Sequence, residues 1–376
     1  MTKRLLRIAL CALPALLMLY PTQALFGAKQ GLSTFLDTVL PALLPYYVGT
    51  SILLKSGLAR SITRYLTPLL KPFGLPGQSA FPFFMGALSG YPTGARLTAE
   101  LYEYGMLTQH QARGTAILSS CCGPSFMMAA VAAGMLKIPG CGIIIAAAHY
   151  CSVLTAAFLL KPFYHSPKDS PGNSTIKPKV PGSITTIVLD SIADSAVSLW
   201  TVGGYLIFFS SLISVFSATG VLNLIGGVLT PVLSPLGIHP STITPILCGM
   251  VEMTDGCTRA AMAFGPISSK VISCTFIITL GGGSIFAQSF NYLRRCSIKP
   301  GLFLVSKLTS AVFSLFYSSL LLYLFPQAAP ASVALTPSFE RTLGGNTTIM
   351  IIGVLVISFL GAAMSLYNLR SYKHKK

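Results

Sequence analysis

The chain has 376 residues, of which 52% are hydrophobic and 9% are charged, and its mean hydropathy is +0.70. A soluble domain is usually about a quarter charged, so this composition excludes an ordinary soluble enzyme and indicates a polytopic helical membrane protein. The net charge of +17 sits in short Lys and Arg clusters between long apolar runs. That distribution is typical of cytoplasmic loops and argues against a nucleic-acid-binding surface.

Long apolar runs predict an all-α protein with about eight transmembrane helices, since a bilayer core of about 30 Å needs roughly 20 apolar residues per helix. The predicted spans lie near residues 6–25, 32–54, 114–136, 138–160, 197–218, 271–291, 302–325 and 347–369. Two shorter apolar pieces, 79–95 and 242–257, contain Gly or Pro and are predicted to be re-entrant hairpins. This arrangement places 19 of the 26 Lys and Arg residues inside and 4 outside, so both termini are predicted to be cytoplasmic.

The same pattern divides the chain into five parts. We predict an N-terminal transmembrane helix (1–30), a first repeat (31–160), a cytoplasmic loop (161–183), a second repeat (184–325), and a C-terminal transmembrane helix with a basic tail (326–376). The basic N-terminus and the apolar run after it also fit a cleaved secretory signal peptide, and this alternative stays open.

An internal repeat links the two central parts. Residues 67–74 recur as residues 230–237, with Pro68 and Pro231 separated by 163 residues. An odd number of predicted spans lies between the copies, so the second copy is expected to be inverted in the membrane. Consistent with inversion, residues 55–71 contain four Lys or Arg and residues 219–241 contain none. Inverted repeats with interrupted helices are typical of secondary transporters.

The first predicted hairpin has features of an anion site. Pro92 prevents a continuous helix, and a helix that begins near Thr93 directs free N–H groups and the positive end of its dipole into the membrane. Arg96 adds a bidentate partner for a carboxylate. The alternative is a kinked packing helix with Arg96 at the membrane interface. The predicted substrate-binding residues here are Ser89, Gly90, Tyr91, Thr93, Gly94 and Arg96.

The second predicted hairpin contains three ionisable residues within eight positions, after a stretch from Ser195 to Val251 without Asp, Glu, Lys or Arg. Ionisable side chains within a membrane are costly and therefore suggest function. We predict Glu252 and Asp255 as candidates for a coupling ion or proton. Substrate contacts are predicted for Thr254, Gly256 and Arg259. An internal ion pair that closes the hairpin is the alternative.

Two further segments, Cys121–Ser125 and Gly281–Ser284, lie inside apolar runs at matching positions of the repeat. Each is predicted to interrupt its helix. They supply the remaining predicted substrate-binding residues, which are Gly123, Ser125, Gly283 and Ser284, together with His149 in a neighbouring apolar run. Ordinary packing is an alternative for all five. The sequence contains no nucleophile–base motif, phosphate loop or metal-ligand spacing, so we predict no catalysis, no cofactor and no metal.

Several stretches together resemble a known family. They are Leu88–Ala95, Glu100–Tyr102, Cys122–Phe126 and Ala148–Tyr150, and they resemble the sporulation integral membrane protein YlbJ family, also called stage V sporulation protein V, which carries paired nucleoside-recognition (gate) domains. The resemblance covers about residues 30–325. Ser120 and Cys121 stand where gate-domain relatives often carry Asn, which leaves an amide contact to solute unsupported at that point.

The resemblance implies a multi-pass protein of the cell membrane or outer forespore membrane that moves dipicolinic acid during sporulation. It also implies similarity to the concentrative nucleoside transporters, in which two opposed hairpins meet at the substrate. The expected partners are therefore a small-molecule anion and the lipid bilayer; a homo-oligomer and contacts with other sporulation membrane proteins are left open. A nucleoside or other metabolite carrier, and a non-transporting scaffold of spore maturation, remain alternative functions.

Overall fold

The computed structural model describes residues 13–56, 67–164, 183–233 and 239–326, and within these ranges the chain is helical without a β-strand. The predicted span 347–369, the basic tail, the start of span 6–25 and most of loop 161–183 lie outside the described residues. We number the main helices α1 to α14 in chain order.

The first half begins with a long helical rod. Helix α1 (Pro21–Thr34) continues through a π-helical turn (Phe35–Val39) into α2 (Leu40–Lys55). After short 3-10 turns, five helices follow: α3 (Ala80–Ser89), α4 (Thr93–Glu103), α5 (Gln109–Leu118), the π-helical α6 (Phe126–Met135) and α7 (Cys141–Leu159).

The second half presents the same order of elements with one added helix. Its rod is α8 (Ile184–Ala218), and α9 (Val221–Leu233) is the addition. The remaining helices are α10 (Pro240–Val251), α11 (Met253–Met262), α12 (Ile267–Leu280), α13 (Gly282–Leu293) and α14 (Pro300–Leu324).

Two predicted spans are each broken near the middle, at the two segments where the sequence predicts an interruption. Residues 119–123 are not helical, so predicted span 114–136 is divided between α5 and α6. Gly281 adopts a left-handed conformation (φ 81°) that ends α12 and divides predicted span 271–291. Glycine takes this conformation without the steric cost that a Cβ atom imposes.

Four helical segments of the described chain are long and apolar enough to cross a membrane: Cys141–Leu159, Ile184–Ala218, Ile267–Cys296 and Pro300–Leu324. The third of these contains the break at Gly281. Together with the composition, these segments identify an integral membrane protein. The number of spans is not determined by these four, because α2, α6, α9 and α10 are apolar but shorter.

Small residues bring the two rods together. Gly27 and Gly31 are buried against α8, and a Cβ atom added to Gly31 would lie 3.0 Å from the Ser210 side chain. Close approach of backbones at small residues is the usual basis of helix association in membranes, where the surrounding lipid removes the hydrophobic driving force. Next to the rods, α14 packs on both α7 and α12 and so joins the halves.

Ionic and polar contacts connect helix ends and turns that the sequence assigns to the cytoplasmic side of the membrane. Lys55 Nζ lies 2.8 Å from Asp194 Oδ2, and Arg295 Nε lies 2.7 Å from Glu103 Oε1. Gln109 Nε2 donates to the Ser297 carbonyl oxygen at 3.1 Å. The last two contacts join α4 and α5 of the first half to the turn that follows α13 in the second half. The two halves are therefore bonded to each other at this end of the molecule.

Candidate functional site

The tip of the first hairpin is formed by the residues between α3 and α4. Gly90, with φ 83°, ends α3, and α4 begins at Thr93, where the sequence predicts a helix start. A Cβ atom added to Gly90 would lie 2.6 Å from the Gly123 nitrogen. The hairpin tip therefore contacts the non-helical break of its own half, and only a residue without a side chain permits this distance.

The second half has an equivalent contact. Glu252 lies between α10 and α11, and its carboxylate caps α11 by accepting a hydrogen bond from the Asp255 nitrogen at 2.7 Å. Gly282, immediately after the break at Gly281, packs against the Gly249 carbonyl oxygen of α10. In both halves, the tip of a short helix pair thus abuts the break of the helix that follows.

A cavity of about 40 Å³ lies where the two tips approach each other. About 10–15 Å³ on this scale accommodates one water molecule, so the cavity holds a few waters or one carboxylate-sized group. Its polar lining residues come from both halves: Tyr47, Ser89, Tyr91, Glu252, Thr254 and Gln288. Apolar residues that include Phe126, Leu206 and Ile285 complete the wall.

Two polar atoms of this lining have no hydrogen-bond partner among the described residues. Ser89 and Gln288 are 7% and 5% exposed, and neither Ser89 Oγ nor Gln288 Oε1 is bonded. Buried polar groups in proteins are nearly always hydrogen-bonded, since an unmade bond costs about 1–3 kcal/mol. Both residues belong to the lining of the cavity, so this part of the lining contains polar atoms whose hydrogen bonds are unmade.

Side chains of α7 hold the break in the first half. His149 Nε2 accepts from the Cys122 nitrogen at 2.9 Å, and His149 Nδ1 lies 3.0 Å from Thr279 Oγ1. Because the Thr279 hydroxyl donates to the Thr275 carbonyl oxygen, we assign the imidazole proton to Nδ1. Tyr150 Oη donates to the Ala87 carbonyl oxygen at 2.7 Å and lies 3.1 Å from the Cys122 carbonyl oxygen. The α7 helix thereby connects the break of the first half to α12 of the second.

Replacing His149 with phenylalanine is expected to lower the free energy of unfolding by about 2 kcal/mol or more, since the buried Cys122 N–H and the Thr279 hydroxyl each lose a partner. Thermal unfolding of the purified protein in detergent measures the change. His110→Phe is the matched control because His110 is exposed. Equal stability of the two variants would contradict a bridging role for His149.

The structure places six of the predicted site residues at the cavity: Ser89, Gly90, Tyr91, Gly123, Glu252 and Thr254. Others lie in the elements that form it without being part of the lining. Thr93 and Ser125 are at the starts of α4 and α6, and Gly283 and Ser284 are at the start of α13. His149 bonds to the break of the first half. Gly94 and Gly256 pack against the backbone of Ser119 and Gly249, respectively.

The two arginines predicted to bind a carboxylate do not line the cavity. The Arg96 side chain is 42% exposed and lies 3.9 Å from Glu100. Arg259 Nε lies 2.6 Å from Asp255 Oδ2, so these two predicted residues form a pair within α11. This is the internal pair that the sequence analysis names as an alternative.

Three functional candidates were missed from sequence. Tyr47 and Gln288 line the cavity, and Lys307 bonds to Tyr91. An aromatic residue in an apolar span carries no distinctive signal, and neither does a single glutamine. Lys307 did carry one, because it is the only Lys or Arg within the apolar run 302–325. Among the described residues there is no cluster of three metal-ligating side chains.

These observations define a helical integral membrane protein in which two halves meet at a mostly apolar cavity, lined by a few polar residues, beside their broken helices. The chain belongs to the Gate (nucleoside recognition) family, whose model matches it twice, over residues 36–139 and 199–299. The two matches begin 163 residues apart, which is also the separation of Pro68 and Pro231.

A curated relative is similar along most of its length. The sporulation integral membrane protein YlbJ of Bacillus subtilis (strain 168) is 28% identical over 330 residues, which cover 82% of this chain and 80% of the relative. No solved structure matches the chain significantly. The resemblance that the sequence motifs indicate is thereby confirmed.

Proposed function

We propose that this protein is a carrier that moves a small organic anion across a membrane during sporulation, with dipicolinate as the leading substrate. The cavity between the two hairpin tips carries the proposal, because its lining residues Ser89 and Gln288, from opposite halves, each have a buried polar atom without a partner among the described residues. An unmade hydrogen bond at a buried polar group is costly, so a solute that supplies the missing partner would bind favourably there.

The arrangement of the halves supports alternating access. The element order repeats, the Gate family matches twice, and each hairpin tip meets the break of its own half. We propose that the second half is inverted, so that the hairpins enter from opposite faces as re-entrant elements. Dipicolinate needs more space than the cavity of about 40 Å³, so its binding requires the hairpins to separate.

The name of the relative in Bacillus subtilis supports a role in sporulation, and the resemblance supports the outer forespore membrane as the location, with both termini in the cytoplasm. Export of a dianion from a cytoplasm that is negative inside is favoured by about 2.3 kcal/mol per charge per 100 mV. A coupling ion is then unnecessary for net movement.

A nucleoside or another neutral metabolite is the second candidate substrate. The family description and the Glu252 carboxylate at the cavity favour it, because a nucleoside carries hydroxyl and amino donors that a buried carboxylate accepts well. The two candidates place opposite demands on Glu252, and this difference makes them experimentally distinguishable.

Uptake into proteoliposomes tests the proposal. We expect the reconstituted full-length protein to take up labelled dipicolinate faster when the lumen is made positive by a potassium diffusion potential, and unlabelled nucleosides to compete weakly. Empty liposomes and the Gly90→Ala protein serve as controls. Uptake of uridine that dipicolinate does not inhibit would replace the anion with a nucleoside as the substrate.

A further inference from the structure

Lys307 is a buried lysine that has no carboxylate partner in the part of the chain that the structure describes. Among the described residues, only Glu252 and Lys307 are buried Asp, Glu, Lys or Arg side chains, at 4% and 3% exposure. No carboxylate of the described chain lies within ion-pair distance of Lys307. A charge within the membrane costs several kcal/mol, so it is usually paired or functional.

The partners of Lys307 are all neutral. Its Nζ donates to Tyr91 Oη at 2.8 Å and to the Ser120 carbonyl oxygen at 3.1 Å, and it lies 4.0 Å from the centre of the Tyr91 ring. These contacts satisfy two of the three N–H donors and add a cation–π attraction. They orient the amino group, and none of these described partners brings a negative charge to it.

Tyr91 stands between Lys307 and the cavity. It lines the cavity next to Gly90, and its hydroxyl donates to the Ile278 carbonyl oxygen over a long 3.3 Å. A carboxylate in the cavity is a stronger acceptor for an ammonium group than a phenol oxygen. Displacement of the Tyr91 hydroxyl therefore gives an anion access to Lys307 with little loss of other bonding.

The surroundings of Lys307 also contain an unpartnered donor. Ser120, whose carbonyl oxygen bonds Lys307, has a buried hydroxyl with no partner among the described residues. The starts of α4 and α6 lie close by, because Tyr91 precedes the former and Gly123 the latter. Both helix ends carry partial positive charge, whereas in the second half the Glu252 carboxylate already caps α11.

From this asymmetry we infer that Lys307 is the substrate counter-charge: a solute carboxylate binds at the first-half side of the cavity, where it replaces the Tyr91 hydroxyl on Lys307. The inference rests on the proposed anion-carrier function and deepens it, since it identifies the binding cation as a lysine on α14. Charge recognition then lies away from Arg96 and Arg259, the residues that the motifs suggest.

The experiment measures binding and uptake of three pyridine probes: dipicolinate, the monocarboxylate picolinate, and pyridine-2,6-dicarboxamide, which is the uncharged isostere of dipicolinate. Lys307→Gln, Lys307→Arg and the control Lys299→Gln, at an exposed position, are compared with wild type in ligand-induced thermal stabilisation and in proteoliposome uptake. We expect Lys307→Gln to weaken dipicolinate binding about 10- to 100-fold, the usual effect of losing a charged hydrogen bond. Binding of the dicarboxamide should change less than threefold, and Lys307→Arg should recover part of the lost affinity.

Each result has a distinct meaning. Equal loss for charged and uncharged probes would overturn the inference, because it indicates a structural role, and so would wild-type affinity in Lys307→Gln. If dipicolinate stabilises wild type but not Lys307→Gln, and no uptake occurs, the subsite stands and the carrier function fails. If uptake occurs and is unchanged in Lys307→Gln, the anion-carrier function is supported and carboxylate binding at Lys307 is rejected. Absence of both binding and uptake would overturn both.

Discussion

Glu252→Gln is expected to increase the affinity for dipicolinate about 10- to 100-fold at neutral to alkaline pH. An ionised Glu252 at the cavity repels the second carboxylate of a dianion, and at about 5 Å with an effective dielectric constant of about 20 this repulsion amounts to roughly 3 kcal/mol. The amide removes the charge and retains an oxygen that accepts from the Asp255 nitrogen, so the cap of α11 persists. Equilibrium binding to the purified protein measures the effect.

The same change is expected to remove the pH dependence of binding. Because dianion binding favours the protonated form of Glu252, wild-type affinity should fall as the pH rises, and the affinity of Glu252→Gln should stay nearly constant. The other charges beside Glu252 on α11, Asp255 and Arg259, are paired at 2.6 Å and compensate each other. Asp190→Asn is the control, because it also replaces a carboxylate with an amide, but at an exposed position.

A nucleoside carrier predicts the opposite sign for Glu252→Gln. Loss of a charged acceptor for nucleoside donors would weaken uridine binding by about 10-fold or more. A decrease in uridine affinity, with dipicolinate affinity unchanged, would therefore reject the anion and support the second candidate. The Glu252 variant thus decides the substrate class independently of Lys307.

Gly90→Ala is expected to destabilise the protein by about 2–5 kcal/mol and to reduce uptake more than 10-fold. Alanine at φ 83° costs about 1–2 kcal/mol, and its Cβ atom would approach the Gly123 nitrogen to 2.6 Å, which forces apart the hairpin tip and the break. The unfolding temperature and the uptake rate are measured on the same preparation.

Two other glycines separate the causes of this effect. Gly105 has φ 68° and no atom within 4 Å of an added Cβ, so Gly105→Ala reports the conformational cost alone. Gly204 also has open space around an added Cβ atom and lies within α8, where φ is negative. Gly204→Ala is therefore expected to show neither the conformational cost nor the steric contact. If Gly90→Ala and Gly105→Ala lower stability equally, the contact between tip and break contributes nothing.

Much of the first hairpin was predictable because Gly and Pro constrain the backbone locally. The pair Gly90 and Pro92 predicts the turn, and the helix begins at Thr93 as expected. The position of Lys307 was also visible as an isolated charge in an apolar run. Its bonds to Tyr91 and Ser120 were not, because 216 and 187 residues separate these partners and no local pattern relates them.

For Arg96 and Arg259, in contrast, the local sequence pointed to a different partner from the one in the structure. Their positions near Gly-rich turns indicated anion binding, but the side chain of Arg96 points to Glu100 and that of Arg259 to Asp255. Both partners lie four residues further along or back on the same helix, and such neighbours are close whatever the rest of the fold does. A nearby carboxylate on the same helix face is therefore a reason to expect pairing before ligand binding.

Apolar length, charge distribution and an internal repeat can be read along the chain, and they were enough to identify a helical membrane protein of two related halves. The polar groups that meet became evident only from the fold: Ser89, Glu252 and Gln288 line one cavity, and Lys307 lies behind Tyr91. Burial in lipid is dictated by each segment's own composition, whereas a binding site depends on distances between segments that only packing establishes.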